Sequence, residues 1–480
     1  MKLEKLIKNL SIDTASLPSI NVDNICTHSP EVNKGSLFVA IKGFTTDGHD
    51  YIQQAVNNGA SAIISDRHIA NVVSIPNIKV GNTRSALSKI ASTFYNNPSK
   101  DLNIIGITGT NGKTTTASIL YSIFKANGFK CAQLGTLGTI ADGFKTTKTL
   151  TTLDPVSLHR TFREFIKMDI SHVIMEVSSH ALDQFRVADV EFNVGVFTNL
   201  SNEHLDYHKN MEDYFETKSK LFQMLKPSNM AVINCDDKMG LKIAKDSKAK
   251  IVSVSKQTNA DIYLTNLISC FDGVEFIVNY GNKKIPIASS LIGEYNVENI
   301  LCAVSIALSL DIEPDIIQKG VSECDIIPGR MEIIKLKNKS TIIVDYAHTP
   351  DAYKKVLHNI KRMKPEDSKL NVLFGCGGNR DREKRPEMGK IAEDYSDIMW
   401  IVPDNPRTEN IIDINNQIIK DLKESNFQLF EDRGKALKMA IKSLNSGDIL
   451  VVLGKGREDY QEINGKKINY SDIEIIQGFV

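Results

Sequence analysis

The segment at 106–115, Gly-Ile-Thr-Gly-Thr-Asn-Gly-Lys-Thr-Thr, carries residue types that can bind phosphate. Its glycines let backbone N–H groups approach phosphate oxygens, and Lys113 supplies a cation at a helix N-terminus, which favours an anion. Thr114 or Thr115 can offer a hydroxyl to phosphate or to Mg²⁺. A tight turn alone would explain one or two glycines but not the run Gly-Lys-Thr-Thr. We therefore predict a phosphate loop, of a variant kind because Ile107 stands where the general pattern has glycine.

Two clusters of polar residues follow predicted strands in the same part of the chain. One, from Glu176 to His180, ends a strand predicted at 172–177, and the other, at 199–208, follows a strand predicted at 193–198. Because parallel strands present their carboxyl ends at one edge of a sheet, we expect both clusters near the phosphate loop. A carboxylate and an imidazole there could hold Mg²⁺ against ATP oxygens.

A zinc site is an alternative interpretation of His204, Asp206 and His208. Residues at i, i+2 and i+4 share a face only on a strand, whereas this segment has the composition of a loop, so the pattern disfavours zinc. Histidines that are hydrogen-bonded in a loop without any ligand role are a third possibility.

Composition and periodicity divide the chain into three α/β blocks, which we place at residues 1–98, 99–328 and 329–480. The first boundary falls in the polar run Asn96–Asp101 and the second at Pro328-Gly329. The second block alternates strands and helices, which is typical of a mostly parallel sheet, and then has antiparallel strands over 261–289 with a hairpin turn at Gly281-Asn282. The third block alternates in the same way and indicates a second doubly wound unit.

The strongest apolar runs predict strands at 36–41, 62–64, 102–107, 172–177, 193–198, 230–234, 341–346, 371–374, 398–402 and 449–453. Helices are predicted at 51–58 and 294–310, with two more whose apolar faces carry Leu120, Ile123 and Phe124, or Leu437, Ala440, Ile441 and Leu444.

Charge and composition exclude several classes of protein. Lys+Arg and Asp+Glu each number 58 in 480 residues, so there is no overall basic excess of the kind that nucleic-acid binders usually carry. The longest stretch without a charged residue, at 51–65, is shorter than the roughly 18 apolar residues of a membrane helix. The seven cysteines show no CxxC spacing, which favours a reducing compartment. We expect a cytoplasmic α/β enzyme, monomeric, with neither nucleic acid nor membrane insertion.

Several motifs together resemble one family. GTNGKTT, EVSSHALDQFR, FTNLSNEHLDYH, VDYAHTPDA, GCGGNRDREKRPEM and GKGREDY occur in that order along the whole chain, and they are similar to those of the Mur ligases of peptidoglycan synthesis. The resemblance implies an N-terminal domain for a UDP-sugar, a central ATPase domain and a C-terminal Rossmann-like domain. It also implies a ligase that adds meso-diaminopimelate to UDP-N-acetylmuramoyl-L-alanyl-D-glutamate, with ATP and Mg²⁺.

The implied reaction begins with transfer of the γ-phosphate of ATP to the substrate carboxylate, since a carboxylate is a poor acyl donor at neutral pH. An amine then attacks the acyl phosphate and forms the amide. Catalysis of this kind rests mainly on positioning and charge neutralisation.

The resemblance assigns roles residue by residue. Lys113, Lys218 and His204 match catalytic positions, and Lys218 matches a lysine that the family carbamylates. The implied metal ligands are Thr114, Glu176, His204 and Lys218 as its carbamate. The ATP-contacting positions are Gly109, Thr110, Asn111, Gly112, Lys113, Thr114, Thr115, Asn296, Asn299, Arg330, Asp345 and Tyr346, with Arg380 as a further contact from the third domain.

The UDP-sugar peptide positions implied by the resemblance are Ser29, Thr151, Thr152, Ser178, Gln184 and Arg186. This part of the chain departs from the family pattern, because relatives read Asp-Ser-Arg where this chain has His28-Ser29-Pro30. The arginine contact must therefore be replaced or absent.

The implied amino-acid positions are Arg380, Asp404, Asn405, Arg407, Gly454 and Glu458. The run Asp-Asn-Pro-Arg at 404–407 resembles the version that accepts meso-diaminopimelate, whose second carboxylate a guanidinium can hold bidentately. Two departures are Thr408-Glu409 after this run and Arg457 where histidine is usual. Three alternatives remain: addition of L-lysine, a folylpolyglutamate synthetase-like ligase, and a non-catalytic nucleotide-binding module.

Overall fold

The computed structural model describes residues 1–10, 18–67, 69, 75–144, 150–423 and 426–480. Within them the chain forms three successive α/β units, each built on its own sheet. The first unit has a four-stranded parallel sheet in the order β1-β2-β3-β4. Its strands are β1 (Asn24–Cys26), β2 (Ser36–Val39), β3 (Ala60–Ser65) and β4 (Asn77–Lys79), and its helices are α1 (Leu3–Ile7), α2 (Ile52–Asn57) and α3 (Thr83–Phe94).

Apolar side chains alternate between the two faces of this first sheet, as the period of a strand requires. Leu37 and Val39 of β2 pack with Ile90 of α3 on one face. Phe38, between them, packs with Ile52 of α2 on the other. The helices therefore cover both faces of the sheet.

The central unit has a ten-stranded sheet, parallel in its middle and antiparallel at both ends. In chain order the strands are β5 (Asn103–Thr108), β6 (Cys131–Gly135), β7 (Gly138–Ala141), β8 (His172–Glu176), β9 (Val194–Phe197), β10 (Met230–Asn234), β11 (Lys250–Ser255), β12 (Ile262–Cys270), β13 (Gly273–Tyr280) and β14 (Lys283–Ser289). Across the sheet the order is β14-β13-β12-β11-β10-β9-β5-β8-β6-β7. The strands β5, β8 and β9, which carry the predicted site residues, are therefore neighbours at its centre.

The helices of this unit are α4 (Lys113–Ala126), α5 (Pro155–Lys167), α6 (Ser179–Asp183), α7 (Met211–Gln223), α8 (Lys238–Asp246), α9 (Glu294–Ser309) and α10 (Pro314–Glu323). Leu120, Ile123 and Phe124 of α4 are fully buried against one face of the sheet, together with α9 and α10. On the other face Phe162 of α5 and Leu221 of α7 are equally buried. The predicted apolar face of α4 is confirmed.

The third unit has a six-stranded sheet in the order β15-β16-β20-β17-β18-β19, in which only β15 is antiparallel to its neighbour. Its strands are β15 (Glu332–Lys335), β16 (Thr341–Asp345), β17 (Leu370–Phe374), β18 (Ile398–Ile401), β19 (Phe427–Leu429) and β20 (Ile449–Leu453), followed by the hairpin of β21 (Tyr460–Ile463) and β22 (Lys466–Asn469). Its helices are α11 (Pro350–Met363), α12 (Lys384–Tyr395), α13 (Ile411–Ile419), α14 (Arg433–Ser443) and α15 (Asp472–Gln477).

The second and third units share apolar residues where they meet. Ile292, just before α9, is buried in the core of the third unit, and Phe271 and Tyr295 pack against the same core. Met331, just after the junction at Pro328-Gly329, belongs to it as well. The junction is therefore a packed apolar contact and not a bare linker.

The predicted strands are confirmed, with ends displaced by no more than two residues, and the hairpin turn at Gly281-Asn282 joins β13 to β14. The helices predicted at 51–58 and 294–310 are observed as α2 and α9. The polar run Asn96–Asp101 was predicted to be a loop, but Pro98–Asp101 forms a 3₁₀ turn. Proline begins such a turn readily because its φ is fixed and it needs no N–H partner there.

Two further observations concern the chain as a whole. All seven cysteines are unpaired, and Cys270 is exposed. Among the residues that the structure describes, no helix is long and apolar enough to cross a bilayer.

Candidate active site

The phosphate loop runs from the end of β5 to the start of α4, and two of its glycines have a positive φ. For Gly109 φ is +152° and for Gly112 it is +85°. A Cβ on Gly109 would lie 1.9 Å from Thr198 Oγ1, and one on Gly112 would lie 2.1 Å from Asn299 Oδ1. Glycine is therefore required at both positions, for backbone conformation and for space.

The end of β9 holds this loop in place. Asn199 accepts from the Thr110 N–H with its backbone oxygen at 2.8 Å and from the Asn111 N–H with its side-chain oxygen at 2.9 Å. The Thr198 hydroxyl donates to the Asn111 carbonyl at 2.7 Å. Because these bonds fix the loop backbone, the N–H groups at its tip are held in a set orientation.

Two lysines converge on one carbonyl of the loop. The Lys113 Nζ donates to the carbonyls of Gly109 and Thr110 at 2.9 and 2.8 Å. The Lys218 Nζ, from α7, donates to the same Gly109 carbonyl at 2.9 Å. Burial lowers the pKa of Lys113, opposed in part by the charges of Glu203 and Glu176.

Lys218 is fully buried, and its ammonium lies 4.5 Å from the centre of the Tyr214 ring. Burial lowers the pKa of Lys218 well below its usual value, and the charge of Lys113 lowers it further. This lysine therefore differs from a solvated surface lysine, which its position on an amphipathic helix would otherwise have suggested.

Three of the four predicted metal ligands, Thr114, Glu176 and His204, line one cavity. The Thr114 hydroxyl donates to Glu176 Oε1 at 2.9 Å, and Glu176 also accepts from the Thr136 N–H at 2.9 Å. Glu176 and His204 both line the cavity, together with Lys113. Burial lowers the pKa of His204 to about 4, so its imidazole is neutral near pH 7 and can act as a ligand.

His208, the other histidine of the zinc interpretation, does not line this cavity. It is buried, and its Nε2 lies 3.0 Å from the Ser179 hydroxyl. Within the described ranges no group of three or more His, Cys, Asp and Glu side chains is arranged to hold a metal ion. The zinc interpretation of His204, Asp206 and His208 therefore receives no support from the geometry.

The third unit contributes side chains to the same cavity. Arg330 donates to the Thr114 hydroxyl at 3.4 Å, and its guanidinium lies 4.7 Å from the centre of the Tyr346 ring. Asp345 is buried and accepts from the backbone N–H of Met331 and Ala347 at 2.8 and 2.7 Å. Burial raises the pKa of Asp345, although Arg330 opposes this.

The cavity contains most of the predicted ATP positions. Asn299 donates to Asn296 at 3.1 Å on the α9 side of the loop. Around the cavity the structure brings together Thr110, Asn111, Gly112, Lys113, Thr114, Thr115, Asn296, Asn299, Arg330, Asp345 and Tyr346. Gly109 is held beside them by its bonds to Lys113 and Lys218.

Sequence reasoning missed a contact between Glu203 and His348 in this cavity. Glu203 Oε1 lies 2.8 Å from His348 Nε2, which comes from the third unit. Burial would raise the pKa of Glu203, but the hydrogen bond and charge of His348 and the charge of His204 lower it well below its usual range. Both residues stand inside motifs quoted above, but nothing in either motif indicates that the two segments meet.

The predicted UDP-sugar positions are divided between two cavities. Thr151 and Ser178 line the cavity described above. Ser29, Gln184 and Arg186 line a second cavity, between the first and central units, which Arg84 also lines. Thr152 is buried and donates its hydroxyl to the Glu176 carbonyl at 2.9 Å. It therefore stabilises the backbone beside the first cavity and does not line either cavity.

The predicted amino-acid positions cluster at the carboxyl edge of the third sheet. Asn405 donates to Glu458 Oε2 at 3.0 Å. Gly454 has a φ of +101°, and a Cβ there would lie 3.7 Å from the Asp404 carboxylate. Asp404 Oδ1 is buried and has no hydrogen-bond partner within the described part of the chain.

The sequence analysis also missed Lys455, which lies at the centre of this cluster. Its side chain is fully buried, and its Nζ donates to Glu458 at 2.9 Å and to Asn405 at 3.2 Å. The Asp404 carboxylate is 3.6 Å away. A buried ammonium is stable only where it is paired, so Lys455 neutralises and positions the cluster. Its place between Gly454 and Glu458 in the motif was the available signal.

Two arginines flank Gly377 beside this cluster. A Cβ on Gly377 would lie 3.1 Å from Arg407 Nη1 and 3.6 Å from Arg380 Cγ. Arg407 donates to the Gly378 carbonyl at 2.6 Å and lies 3.2 Å from Glu462. Arg380 is exposed, 3.5 Å from Asp206 of the central unit.

Glu409 and Arg457, which depart from the family pattern near this cluster, both form ion pairs within the chain. Glu409 accepts from both terminal nitrogens of the buried Arg385 at 3.0 Å. Arg457 is paired with Glu332 at the start of β15. Neither pairing occupies the Asp404 carboxylate.

Comparison with known families finds three matches, which follow one another along the chain. They are the Mur ligase family, catalytic domain, over residues 21–95, the Mur ligase middle domain over 107–307, and the Mur ligase, glutamate ligase domain over 329–456. A curated relative from Aquifex aeolicus, a UDP-N-acetylmuramoyl-L-alanyl-D-glutamate--2,6-diaminopimelate ligase, is 42% identical over 95% of this chain and 93% of its own length.

Solved structures give the same result for the fold. A structure of a UDP-N-acetylmuramoyl-L-alanyl-D-glutamate--2,6-diaminopimelate ligase is 30% identical, covers 100% of this chain and 98% of its own, and has a TM-score of 0.69. A Mycobacterium tuberculosis folylpolyglutamate synthase is 15% identical, covers 77% of this chain and 92% of its own, and has a TM-score of 0.63, which shows a shared fold alone.

The three-unit fold and the phosphate-loop site together define an ATP-dependent ligase. More particularly, the chain belongs to the Mur ligase family.

Proposed function

We propose that this ligase joins meso-diaminopimelate to UDP-N-acetylmuramoyl-L-alanyl-D-glutamate, with ATP and Mg²⁺. The observation that carries the proposal is the run at 404–407, in which Asp404 Oδ1 is buried without a hydrogen-bond partner among the described residues and Arg407 follows three residues later. The nearby ammonium of Lys455 lies 3.6 Å from that oxygen. A diamine dicarboxylate needs both an acceptor for its distal ammonium and a cation for its distal carboxylate. The name of the Aquifex aeolicus relative supports the same substrate.

Arg407 is held in a way that suits this role. Its Nη1 is directed to the Gly378 carbonyl and its Nε to Glu462, so the guanidinium plane is fixed while further N–H groups remain for a carboxylate. Asp404, Asn405 and Glu458 accept the ammonium end, with Lys455 limiting their net negative charge.

The residues present fit Mg²⁺. This ion prefers oxygen ligands and is commonly held by one or two carboxylates together with substrate phosphates and water, so a small set of donors suffices. Thr114 and Glu176 already share a hydrogen bond and could turn their oxygens to the ion, with His204 as a further ligand. When bound, Mg²⁺ would neutralise charge on the phosphates of ATP.

The other residues of the cavity act on the phosphates and on the substrate acid. Lys113 and the N–H groups of the loop hold the phosphates, and Arg330 approaches them from the third unit. The substrate carboxylate then attacks the γ-phosphorus, the bond to the bridging oxygen breaks, and ADP leaves. The neutral amine attacks the acyl carbon, and phosphate leaves as the amide forms.

Lys218 serves this chemistry as a carbamate. A neutral lysine amine can attack CO₂, forming an N–C bond and releasing a proton, and its lowered pKa favours the neutral form. The product is an anion beside the carbonyl of Gly109, to which the Lys113 and Lys218 side chains both donate hydrogen bonds. Its negative charge would let this position help to hold a metal ion.

An amino-acid panel tests the substrate. With ATP and the UDP-sugar dipeptide, phosphate release should match amide formation with meso-diaminopimelate and be much lower with L-lysine or L-glutamate. Arg407→Ala should lower kcat/KM for meso-diaminopimelate by about tenfold to a hundredfold, the usual value of a lost charge-assisted pair, and change lysine use little. Arg163→Ala, at a partly exposed position of α5 where the guanidinium lies 4.0 Å from Asp101, is the control.

Each alternative has its own outcome. A preference for L-lysine that Arg407→Ala leaves unchanged would establish the lysine-adding ligase instead. Glutamate addition to a folate would establish the folylpolyglutamate synthetase-like activity. ATP binding without phosphate release in any mixture would favour a non-catalytic module.

The proposal also places the enzyme in the cytoplasm as a monomer. The absence of disulfides among the seven cysteines supports a reducing compartment. Sedimentation of the purified chain at several concentrations measures the assembly state.

A further inference from the structure

Two backbone segments run side by side at the amino-acid cluster, a glycine loop at 377–380 and the run at 405–409. The Gly378 N–H donates to the Asn405 carbonyl at 2.9 Å, and the Gly378 carbonyl accepts from Arg407 Nη1 at 2.6 Å. A Cβ on Gly378 would lie 1.9 Å from a carbonyl oxygen of that run. The position of the Arg407 guanidinium therefore depends on where the glycine loop lies.

A buried arginine of α12 holds the glycine loop. Arg385 is fully buried, and its Nη2 donates to the Gly377 carbonyl at 2.9 Å. The same guanidinium donates to Gln417 of α13 at 2.8 Å and to both carboxylate oxygens of Glu409 at 3.0 Å. Each terminal nitrogen of an arginine carries two hydrogens, so these four bonds use all of them. No terminal N–H of Arg385 is therefore left for a substrate.

Glu409 connects this arginine both to the glycine loop and to the run that carries Arg407. Its carboxylate also accepts from the Asn379 N–H, and it stands two residues after Arg407 in the chain. The Asn379 side-chain oxygen in turn accepts from the hydroxyl and the N–H of Thr408, at 2.8 and 3.1 Å. The Glu409 carboxylate thus lies where the two segments and Arg385 meet.

The charges of Arg385 and Glu409 compensate each other. The Glu409 side chain is only 11% exposed. The hydrogen bonds from Arg385 lower the pKa of Glu409, and burial opposes this shift. Removal of one partner of a buried pair leaves the other charge unpaired at a high cost. Arg382 lies 3.3 Å from the same carboxylate but is exposed, so it offers a matched comparison.

We propose that Glu409 and Arg385 are positioning residues for the amino-acid substrate. Together they fix the glycine loop, and the loop sets Arg407 against the distal carboxylate of that substrate. Neither side chain contacts the substrate, so their effect is transmitted through Arg407. The inference rests on the proposed function, because that function supplies a substrate with a distal carboxylate. A substrate without this group, such as L-lysine, gains nothing from the placement of Arg407, so the pair contributes to specificity.

Steady-state kinetics of the whole enzyme test the positioning role. Glu409→Gln should raise KM for meso-diaminopimelate by about tenfold or more, since Arg407 loses its fixed orientation and with it a charge-assisted contact. The values of kcat, of KM for ATP and for the UDP-sugar dipeptide, and of kcat/KM for L-lysine should stay within about twofold. A general loss of structure would instead lower kcat and raise every KM together, and that result would contradict the proposal.

A double-mutant cycle separates action through Arg407 from an independent effect. In the Arg407→Ala background, Glu409→Gln should raise KM for meso-diaminopimelate by less than about twofold, because the contact that it positions is already lost. Full additivity of the two effects would overturn the proposal. Arg382→Gln is the control, since it removes a cation from the same carboxylate and leaves the buried pair in place, and it should leave KM unchanged.

A second variant is needed because Glu409→Gln leaves the buried charge of Arg385 unpaired. Arg385→Met combined with Glu409→Leu removes both charges, a change that proteins with buried pairs often tolerate. Thermal unfolding checks that this protein folds, and its KM for meso-diaminopimelate should rise in the same way. If wild-type enzyme forms no amide with meso-diaminopimelate, the proposed function is wrong. If it does, and a folded variant without Glu409 keeps the wild-type KM, the positioning role is wrong and the proposed function stands.

Discussion

At the scale of single residues, the site depends on lysine side chains placed where water cannot easily solvate their charge. Lys113, Lys218 and Lys455 are each directed to named oxygens of the chain, and each would be costly to bury without those partners. Lys455 has two carboxylates beside it, whereas Lys218 has a carbonyl and an aromatic ring. This difference makes Lys218 the lysine that is best suited to lose its proton and react.

Replacement of Lys218 tests its reactivity. Lys218→Ala should lower kcat by about a hundredfold, as loss of a group that stabilises charge usually does. Added acetate or formate should restore part of the activity, because a small carboxylate can take the place of the missing carbamate. The measurement is phosphate release against carboxylate concentration.

Lys220→Ala provides the comparison for this experiment. Lys220 lies two residues further along α7, is partly exposed, and is 3.6 Å from Asp183. Its replacement should leave kcat within about twofold, with no response to acetate. Full activity in Lys218→Ala would remove the carbamate from the mechanism.

At the scale of secondary-structure elements, the phosphate loop and helix α9 interlock. The backbone at Gly112 comes so close to the Asn299 side chain that only glycine fits. The Asn299 side chain in turn donates a hydrogen bond to Asn296, so the first two turns of α9 pack closely against the loop. The two elements therefore cannot change independently.

Gly112→Ala should raise KM for ATP by about tenfold or more, because the new Cβ displaces Asn299 and the positive φ strains the loop. Gly128→Ala is the matched control at the other end of α4, where φ is +77° and nothing lies within 4 Å of the added Cβ. That variant should lose roughly 1–2 kcal/mol of stability and keep its KM for ATP. Equal KM values in the two variants would contradict the interlock. Thermal unfolding and ATP kinetics on both proteins provide the measurements.

The sequence predicted local features well and contacts between distant segments poorly. The strands and the phosphate loop follow from short-range periodicity and from glycine spacing, so their positions were correct to within two residues. The contact of Glu203 with His348 joins residues 145 apart, and that of Arg84 with Gln184 joins residues 100 apart. Such contacts depend on how the units dock, which no local pattern records. The residue roles implied by family resemblance remain predictions that the experiments above address.

At the scale of the whole molecule, the ATP cavity is built from two units that meet through individual polar contacts. Around the cavity these include the pairs Glu203 with His348, Asn111 with Asp351 at 3.3 Å, Arg330 with Thr114 at 3.4 Å, and Arg380 with Asp206 at 3.5 Å. Arg362 and Glu294 form a further pair between the two units at 2.9 Å. Contacts of this kind resemble those of domains that move relative to each other. We therefore expect the third unit to rotate when ligands bind.

Small-angle scattering tests this expectation. The curve of the protein alone should differ from the curve with a non-hydrolysable ATP analogue and the UDP-sugar dipeptide, because ligand contacts from both units would draw them into a single arrangement. UDP alone is the control, since it contacts neither the phosphate loop nor Arg330 in the proposed arrangement. Identical curves in all three conditions would count against rotation.

The apolar junction around Ile292 and Met331 has a consequence for cutting the molecule into pieces. These side chains complete the core of the third unit although Ile292 precedes the junction at Pro328-Gly329. A fragment that starts at residue 329 would thus be missing part of its own interior, and its uncovered surface would favour self-association. A fragment of the central unit would in turn leave Ile292 and Phe271 in water. The same contact identifies the pivot, because any swing of the third unit keeps these side chains together while the cavity edges separate.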